Sequence, residues 1–248
     1  MRRISTAAVI AGVAAVCLTA CGGAVPEEGN TVQTGREEKA AQADFDINAW
    51  GDSITQGING EGTSYPQVLE ELTGIHTNNF GYSGDSSEEV LARSLAYGDQ
   101  SEDVMVMQMG DNGGWDSFDE LIAQYRIMIE KGGTDRYIII SSTDDPDDFE
   151  QIWGYTYEEI GLEDTWYEAE LRKAFGEHLL IGRKYLIRNG LSVNGLRETE
   201  EDRTRAKKGS ISLQLRNTAL DNTHLNAAGY TALAHGVYEK GAELGYWE

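Results

Sequence analysis

The sequence predicts an α/β protein with a parallel sheet that is covered by helices on both faces. Short apolar runs alternate with helical patterns from Phe45 to the C-terminus. The runs Val104–Met109 and Tyr137–Ser141 are apolar at successive positions rather than at every second one. That pattern is typical of strands buried on both faces. Binding sites in such sheets lie beyond the carboxyl ends of the strands, so residues that directly follow a strand are the first candidates for function.

Local signals define the elements in order. Ser86 and Glu89 predict a capping box at a helix start, and Asn226 is placed to cap the last helix. Gly132 and Gly133 end the helix before the fourth strand. The predicted strands are Phe45–Trp50, Ile75–Phe80, Val104–Met109, Tyr137–Ser141 and His178–Ile181. The predicted helices are Tyr65–Leu72, Ser86–Tyr97, Asp119–Lys131, Trp166–Phe175 and Ala227–Leu244.

The N-terminus has the pattern of a secretory signal peptide. Arg2 and Arg3 precede an apolar run, Ala7–Leu18, which is too short to span a membrane. The small residues before Cys21 resemble a bacterial lipobox, which predicts that Cys21 carries lipid and anchors the protein outside the cytoplasm. The alternative is an ordinary signal peptide in which Cys21 has no role. The predicted division is a signal peptide at 1–20, a flexible tether at 21–44 and one folded domain at 45–248.

Composition limits the partners. The formal net charge is −22 over 248 residues, which argues against binding nucleic acid, or an anionic membrane by charge. Contact with a membrane is therefore expected only through the lipid, and we expect a monomer. After removal of the signal peptide Cys21 is the only cysteine, so no intramolecular disulfide is possible. No histidine pair has the spacing of metal ligands, and we expect no metal site.

Four short segments lie where a parallel sheet places its active site. Gly51–Thr55 follows the first strand, Gly81–Asp85 the second and Gly110–Gly113 the third, while Asp221–Asn226 precedes the last helix. Each segment taken alone is equally consistent with an ordinary turn or cap. The position of the first three segments at predicted strand ends, together with the fourth, favours a functional interpretation.

The last segment carries an acid and a base at a useful spacing. Asp221 lies three residues before His224, so a local turn brings its carboxylate to the imidazole. A carboxylate on one ring nitrogen fixes the tautomer and leaves the other nitrogen free to take a proton from Ser53. Asn112 can direct a side-chain amide at developing negative charge, and Gly84 allows a backbone N–H to approach a substrate closely.

Together these residues resemble the SGNH, or GDSL, hydrolase family. Its four signature residues match Ser53 in GDSIT, Gly84 in SGDS, Asn112 in GDNG and His224 in DNTHLN, and Asp221 matches the acid before the histidine. The resemblance implies a flavodoxin-like three-layer α/β/α sandwich around a mostly parallel sheet of about five strands. It also implies ester or thioester hydrolysis without a cofactor, by a serine–histidine–aspartate triad. The implied oxyanion hole is formed by the serine and glycine N–H groups and the asparagine amide.

One position departs from the family pattern. The third block usually reads G-x-N-D, and Gly113 stands here in place of the aspartate. The hydrogen bonding that holds Asn112 must then come from elsewhere, and Asp111 and Asp116 are the nearby acids.

The segment from Asp144 to Tyr167 combines many acids with aromatic residues and follows the fourth strand. We expect it to form one wall of the cleft, with Asp52, Trp153 and Tyr155 as substrate contacts; alternatively, its aromatics only pack a loop onto the core. The expected substrate is a short-acyl, acetyl-type ester on a carbohydrate. One alternative is a lipase- or thioesterase-type general esterase. Another is a surface glycan-binding module that keeps the fold but not the turnover.

Overall fold

The computed structural model describes residues 43–143 and 160–248. The predicted signal peptide, Cys21, Trp153 and Tyr155 lie outside the described residues, as does the tether except for its last two positions. The strands are Ile47–Gly51 (β1), Thr77–Gly81 (β2), Val104–Gln108 (β3), Tyr137–Ile140 (β4) and Leu179–Leu180 (β5). The helices are Ser53–Gln56 (α1), Tyr65–Thr73 (α2), Ser87–Tyr97 (α3), Phe118–Gly132 (α4), Trp166–Phe175 (α5), Gly182–Val193 (α6), Glu200–Lys208 (α7) and Ala227–Glu243 (α8).

The sheet confirms the predicted fold class. Its five strands are parallel and lie in the order β2-β1-β3-β4-β5, the flavodoxin-like order. Gly51, the last residue of β1, pairs with Gly81 of β2 and Gln108 of β3. Three strands therefore end at one level, and the chain segments that follow them begin side by side.

Helices cover both faces of this sheet, which makes a three-layer α/β/α sandwich. Ile47 and Ala49 of β1 join a core with α2, α6 and α8. Trp50 and Met107 belong to the opposite core, with α3, α4 and α5. Every residue of β1 and β3 is buried, which explains why their sequences do not alternate. None of the described helices is both long and apolar enough to cross a membrane.

Three helices were not predicted, each for a local reason. α1 has only four residues, too few to show a helical period. α6 follows the short strand β5 directly, and its N-cap residue Ile181 makes no side-chain capping bond. α7 is almost entirely charged and begins with a capping box of Thr199 and Asp202 rather than with an apolar face. At two strand starts His76 and His178, which were expected within strands, precede them instead.

A buried ion pair connects α5 and α6. Arg183 of α6 and Glu168 of α5 are both fully buried, with Nη2 and Oε2 2.8 Å apart. The guanidinium also donates to the carbonyls of Gly161, Glu163 and Gly209 at 2.8–2.9 Å. The cation therefore holds together the loop before α5, α5 itself and the turn at Gly209.

Replacing Arg183 with methionine should cost about 3–5 kcal/mol of unfolding free energy, because it leaves the Glu168 carboxylate buried without its cation. Urea unfolding followed by circular dichroism measures this. The matched control is Arg203→Met, which breaks an ion pair with Glu198 that is more than half exposed and should cost less than about 1 kcal/mol. Equal losses in the two variants would contradict the assignment.

Candidate active site

Ser53 is the first residue of α1, which starts immediately beyond β1. The helix can begin this close because Gly51 has no side chain: a Cβ there would lie 2.5 Å from the carbonyl oxygen of Gln108 and 2.1 Å from Oγ1 of Thr55. Ser53 is only 9% exposed. The turn thus places the serine in a confined position at the carboxyl edge of the sheet.

Asp52 is the N-cap of α1. The residue is 1% exposed, and its Oδ1 accepts a hydrogen bond from the Ile54 N–H at 3.0 Å. A carboxylate in this position fixes the start of the Ser53 helix. The structure therefore shows that Asp52 caps α1, and the expected contact between Asp52 and a substrate stays a prediction.

Asp221 and His224 meet through a local turn. Oδ2 of Asp221 lies 2.8 Å from Nδ1 of His224, while Oδ1 accepts the N–H groups of Thr223 and His224 at 2.9 and 2.8 Å. Burial raises the pKa of the Asp221 carboxyl, but these hydrogen bonds and the nearby imidazole outweigh it and bring the pKa down to about 2. Asp221 is therefore ionised at neutral pH and orients the ring through Nδ1.

Nε2, the other ring nitrogen of His224, is buried and has no hydrogen-bond partner among the described residues. The chain that follows Ser53 runs close to the loop that carries His224 and to α8. Ile58 donates its N–H to the Ser53 carbonyl at 3.1 Å, and its own carbonyl accepts from the Tyr230 hydroxyl at 2.7 Å. Asn59 Nδ2 then contacts Asp221 Oδ2 at 2.6 Å. The structure thus brings the serine turn and the acid–base pair into one region, without a hydrogen bond between Ser53 and His224.

Arg216 holds the loop that carries Asp221 and His224, a contact that was not predicted from the sequence. The side chain is buried, and its guanidinium donates to the carbonyls of Asn222 and Thr223, the two residues before His224. An antiparallel β-bridge between the backbones of Arg216 and Leu225 closes the same turn. These contacts span only a few residues, yet an isolated arginine has no local sequence signature for holding carbonyls.

Asn112 joins the segment after β3 to the segment after β2. Its Nδ2 donates to the Asp85 carbonyl at 3.1 Å, directly after Gly84. Gly84 is exposed and has a left-handed φ of +87°, a conformation that favours glycine. Within the described part of the chain, the N–H groups of Ser53 and Gly84 make no hydrogen bond. Three potential donors to an oxyanion thus come from the ends of β1, β2 and β3.

Gly113 fills the position of the expected aspartate by supplying backbone contacts. Its φ is +75°, and its carbonyl accepts from the N–H and hydroxyl of Ser87 at 2.9 and 3.1 Å. Neither suggested replacement holds Asn112, whose side chain bonds to Asp85. Asp111 accepts from the Gln108 amide at 2.9 Å, and Asp116 donates its N–H to Glu120.

Arg93 of α3 is a second residue that sequence reasoning missed. Its guanidinium donates to the carbonyls of Phe80 at 2.7 Å and Gly51 at 3.1 Å, and to the Asp85 carboxylate at 2.8 Å. It also lies 4.5 Å from the centre of the Tyr82 ring. One cation therefore ties the end of β1 to the end of β2 and to the residue whose carbonyl holds Asn112.

Two aromatics of the expected substrate wall, Trp166 and Tyr167, lie among the described residues. Both rings contact Phe118 of α4, with centroids 5.1 and 5.0 Å apart. Tyr167 is buried in the core, as the alternative interpretation expected, whereas Trp166 remains 40% exposed. Only Trp166 of this pair is thus available to a ligand.

The arrangement is suited to acyl transfer. An ionised carboxylate, an oriented imidazole and a confined serine lie in one region, and three potential N–H donors lie at the ends of β1, β2 and β3. Among the described residues, no group of three or more His, Cys, Asp or Glu side chains could hold a metal ion.

Comparison with solved structures supports the fold. A protein described as lipolytic, of the G-D-S-L family, from Desulfitobacterium hafniense matches 79% of this chain and 98% of its own, with a TM-score of 0.52 and 15% identity. The YxiM protein of Bacillus subtilis matches 82% of this chain, with a TM-score of 0.54 and 19% identity, but only 58% of its own length is covered. No protein-family model and no curated protein matches the sequence. The chain therefore has the fold of GDSL-type hydrolases.

The Asp221 contacts predict a pH-dependent contribution to stability. Because its folded pKa of about 2 lies below the usual unfolded value near 4, the contribution is present above pH 4 and disappears as the pH falls towards 2. Urea unfolding of wild type and Asp221→Asn should show a stability difference at about pH 5 that shrinks towards about pH 2.5. A difference that stays constant across this range would contradict the contacts.

Proposed function

We propose that this protein is a serine esterase that hydrolyses short-acyl esters. Ser53 is the nucleophile, His224 the general base and Asp221 the residue that orients the base. The observation that carries the proposal is the 2.8 Å contact between Asp221 and Nδ1 of His224, with Nε2 turned into the protein interior without a partner among the described residues. The GDSL-type fold and the confined serine turn support it.

In the proposed reaction, Oγ of Ser53 attacks the ester carbonyl carbon and Nε2 of His224 takes the hydroxyl proton. The tetrahedral intermediate collapses, and His224 returns that proton to the departing alcohol. Water then attacks the acyl-serine by the same route and releases the acid. Because Asp221 is ionised at neutral pH, it stabilises the imidazolium that forms in each half-reaction.

The negative charge on the carbonyl oxygen is met by the N–H groups of Ser53 and Gly84 and by the Asn112 amide. The amide carries two N–H donors, so one can hold the Asp85 carbonyl while the other faces the oxyanion. Losing one such donor typically costs on the order of 10²–10³ in kcat.

We further propose that the substrate is an acetyl-type ester on a carbohydrate. Tyr82, directly after β2 at the active edge, is 56% exposed with Arg93 against its ring, and Trp166 is also exposed. Aromatic faces of this kind suit the apolar faces of sugar rings. The net charge of −22 also favours a neutral substrate over an anionic phospholipid.

Export and lipid attachment at Cys21 belong to the same proposal. They are supported by the sequence pattern of residues 1–21 alone. An extracytoplasmic location agrees with a glycan substrate.

Ser53→Ala should lower turnover of nitrophenyl acetate by at least about three powers of ten, because the variant has no nucleophile. The control is Ser101→Ala, an exposed serine before β3, at the opposite end of the sheet from the site, which should keep wild-type kcat. Full activity in folded Ser53→Ala would refute the proposal.

A series of acyl esters tests the substrate. We expect kcat/KM to fall from acetyl to butyryl to octanoyl esters of one alcohol, and acetylated sugars to be cleaved at least as well as the simple acetyl ester. Specificity that rises with chain length would indicate a lipase- or thioesterase-type enzyme instead. Binding of acetylated sugars by the wild type without any cleavage would indicate a glycan-binding module.

A further inference from the structure

Asn59 touches the acid of the proposed triad from a loop that the motifs do not include. Its Nδ2 lies 2.6 Å from Oδ2 of Asp221. The same oxygen lies 2.8 Å from Nδ1 of His224. One carboxylate oxygen therefore sits between the imidazole and the Asn59 amide, while the other oxygen is held by backbone N–H groups.

The backbone of Asn59 is in an unfavourable conformation. Its φ is +63°, in the left-handed region that residues with a side chain disfavour. Asparagine tolerates this region better than most residues, but glycine would tolerate it best. Unfavourable backbone retained at such a position is often associated with function.

The loop that carries Asn59 is held firmly on both sides. Ile58 bonds to Ser53 through its N–H and to Tyr230 through its carbonyl. A Cβ on Gly60 would lie 2.7 Å from the Tyr230 ring, so the chain packs closely against α8 there. A side chain on this loop therefore has a fixed position relative to both Ser53 and Asp221.

We propose that Asn59 is a positioning residue for the triad, an inference that rests on the proposed esterase function. Its amide fixes the rotation of the Asp221 carboxylate so that Oδ2 faces Nδ1 of His224. The loop also links the nucleophile turn to the acid, so that Ser53 and His224 keep their relative position. Asn59 itself does not touch the reacting atoms.

The amide also affects the charge that the imidazole experiences. A donor on Oδ2 takes up part of the carboxylate's negative charge. Asp221 and two other charged groups, Asp52 and Arg216, lie near Tyr230; Asp52 caps α1, and Arg216 bonds to the Thr223 carbonyl before His224. Removing the amide leaves these groups in place and concentrates the Asp221 charge on the imidazole.

Asn59→Gly tests the proposal because it removes the amide and keeps the left-handed backbone. We expect kcat to fall about ten- to a hundredfold with KM changed less than about twofold, since orientation rather than binding is lost. The acid limb of the kcat/KM profile should move to higher pH. The control is Glu61→Gly in the same loop, whose φ is +56°; it relieves the same strain and should leave both quantities unchanged.

A spectroscopic measurement that needs no turnover accompanies the kinetics. The proton on Nδ1 of His224 should shift in the NMR spectrum of Asn59→Gly and not in that of Glu61→Gly. Wild-type kinetics in Asn59→Gly with an unmoved proton signal would overturn the inference, as would equal losses in both variants. A moved signal in a protein without Ser53-dependent turnover would support the contact and refute the esterase function instead.

Discussion

The close approach of α1 to the ends of β1 and β2 is the constraint on which the site depends. A Cβ on Gly81 would lie 2.1 Å from the backbone nitrogen of Gln56, and a Cβ on Gly51 would collide with Gln108. Only glycine at both positions lets α1 begin in the notch, which is the space between the ends of β1 and β2. This notch fixes where Ser53 stands and which neighbouring backbone groups can face the same substrate atom.

Around this notch, side chains hold the loops together mainly through backbone carbonyls. Arg93 joins β1 to β2, Arg216 holds the turn before His224, and Asn112 holds Asp85. Arg93 and Arg216 thus donate to backbone carbonyls, and Arg93 also donates to the Asp85 carboxylate. Rigid loops are the physical basis for expecting preorganised donors at an oxyanion.

Much of this architecture could be predicted from the sequence. Buried parallel strands have a strong local pattern, and parallel pairing then places Ser53, Gly84 and Asn112 at neighbouring strand ends. Asp221 and His224 were predicted as a pair because Asp221 lies three positions before His224. The fold class, the five strands and the capping box of Ser86 and Glu89 all follow from local signals of this kind.

The missed features depend on contacts between distant parts of the chain. Arg93 meets Gly51 across 42 positions and Asn59 meets Asp221 across 162, so no spacing rule reveals them. α7 was missed because its charged sequence has no apolar period, although its caps are clear. Asp52 was expected only as a substrate contact, and its hydrogen bond with the Ile54 N–H shows that it also caps α1.

The central claim is that His224 and Asp221 activate Ser53. Mass spectrometry of the intact protein after reaction with a fluorophosphonate tests this most directly, because the reagent requires an activated serine. We predict one adduct per chain, mapped by peptide analysis to Ser53 and lost when His224 is replaced by alanine. A folded wild-type protein that remains unlabelled, or an adduct on another residue, would contradict the account.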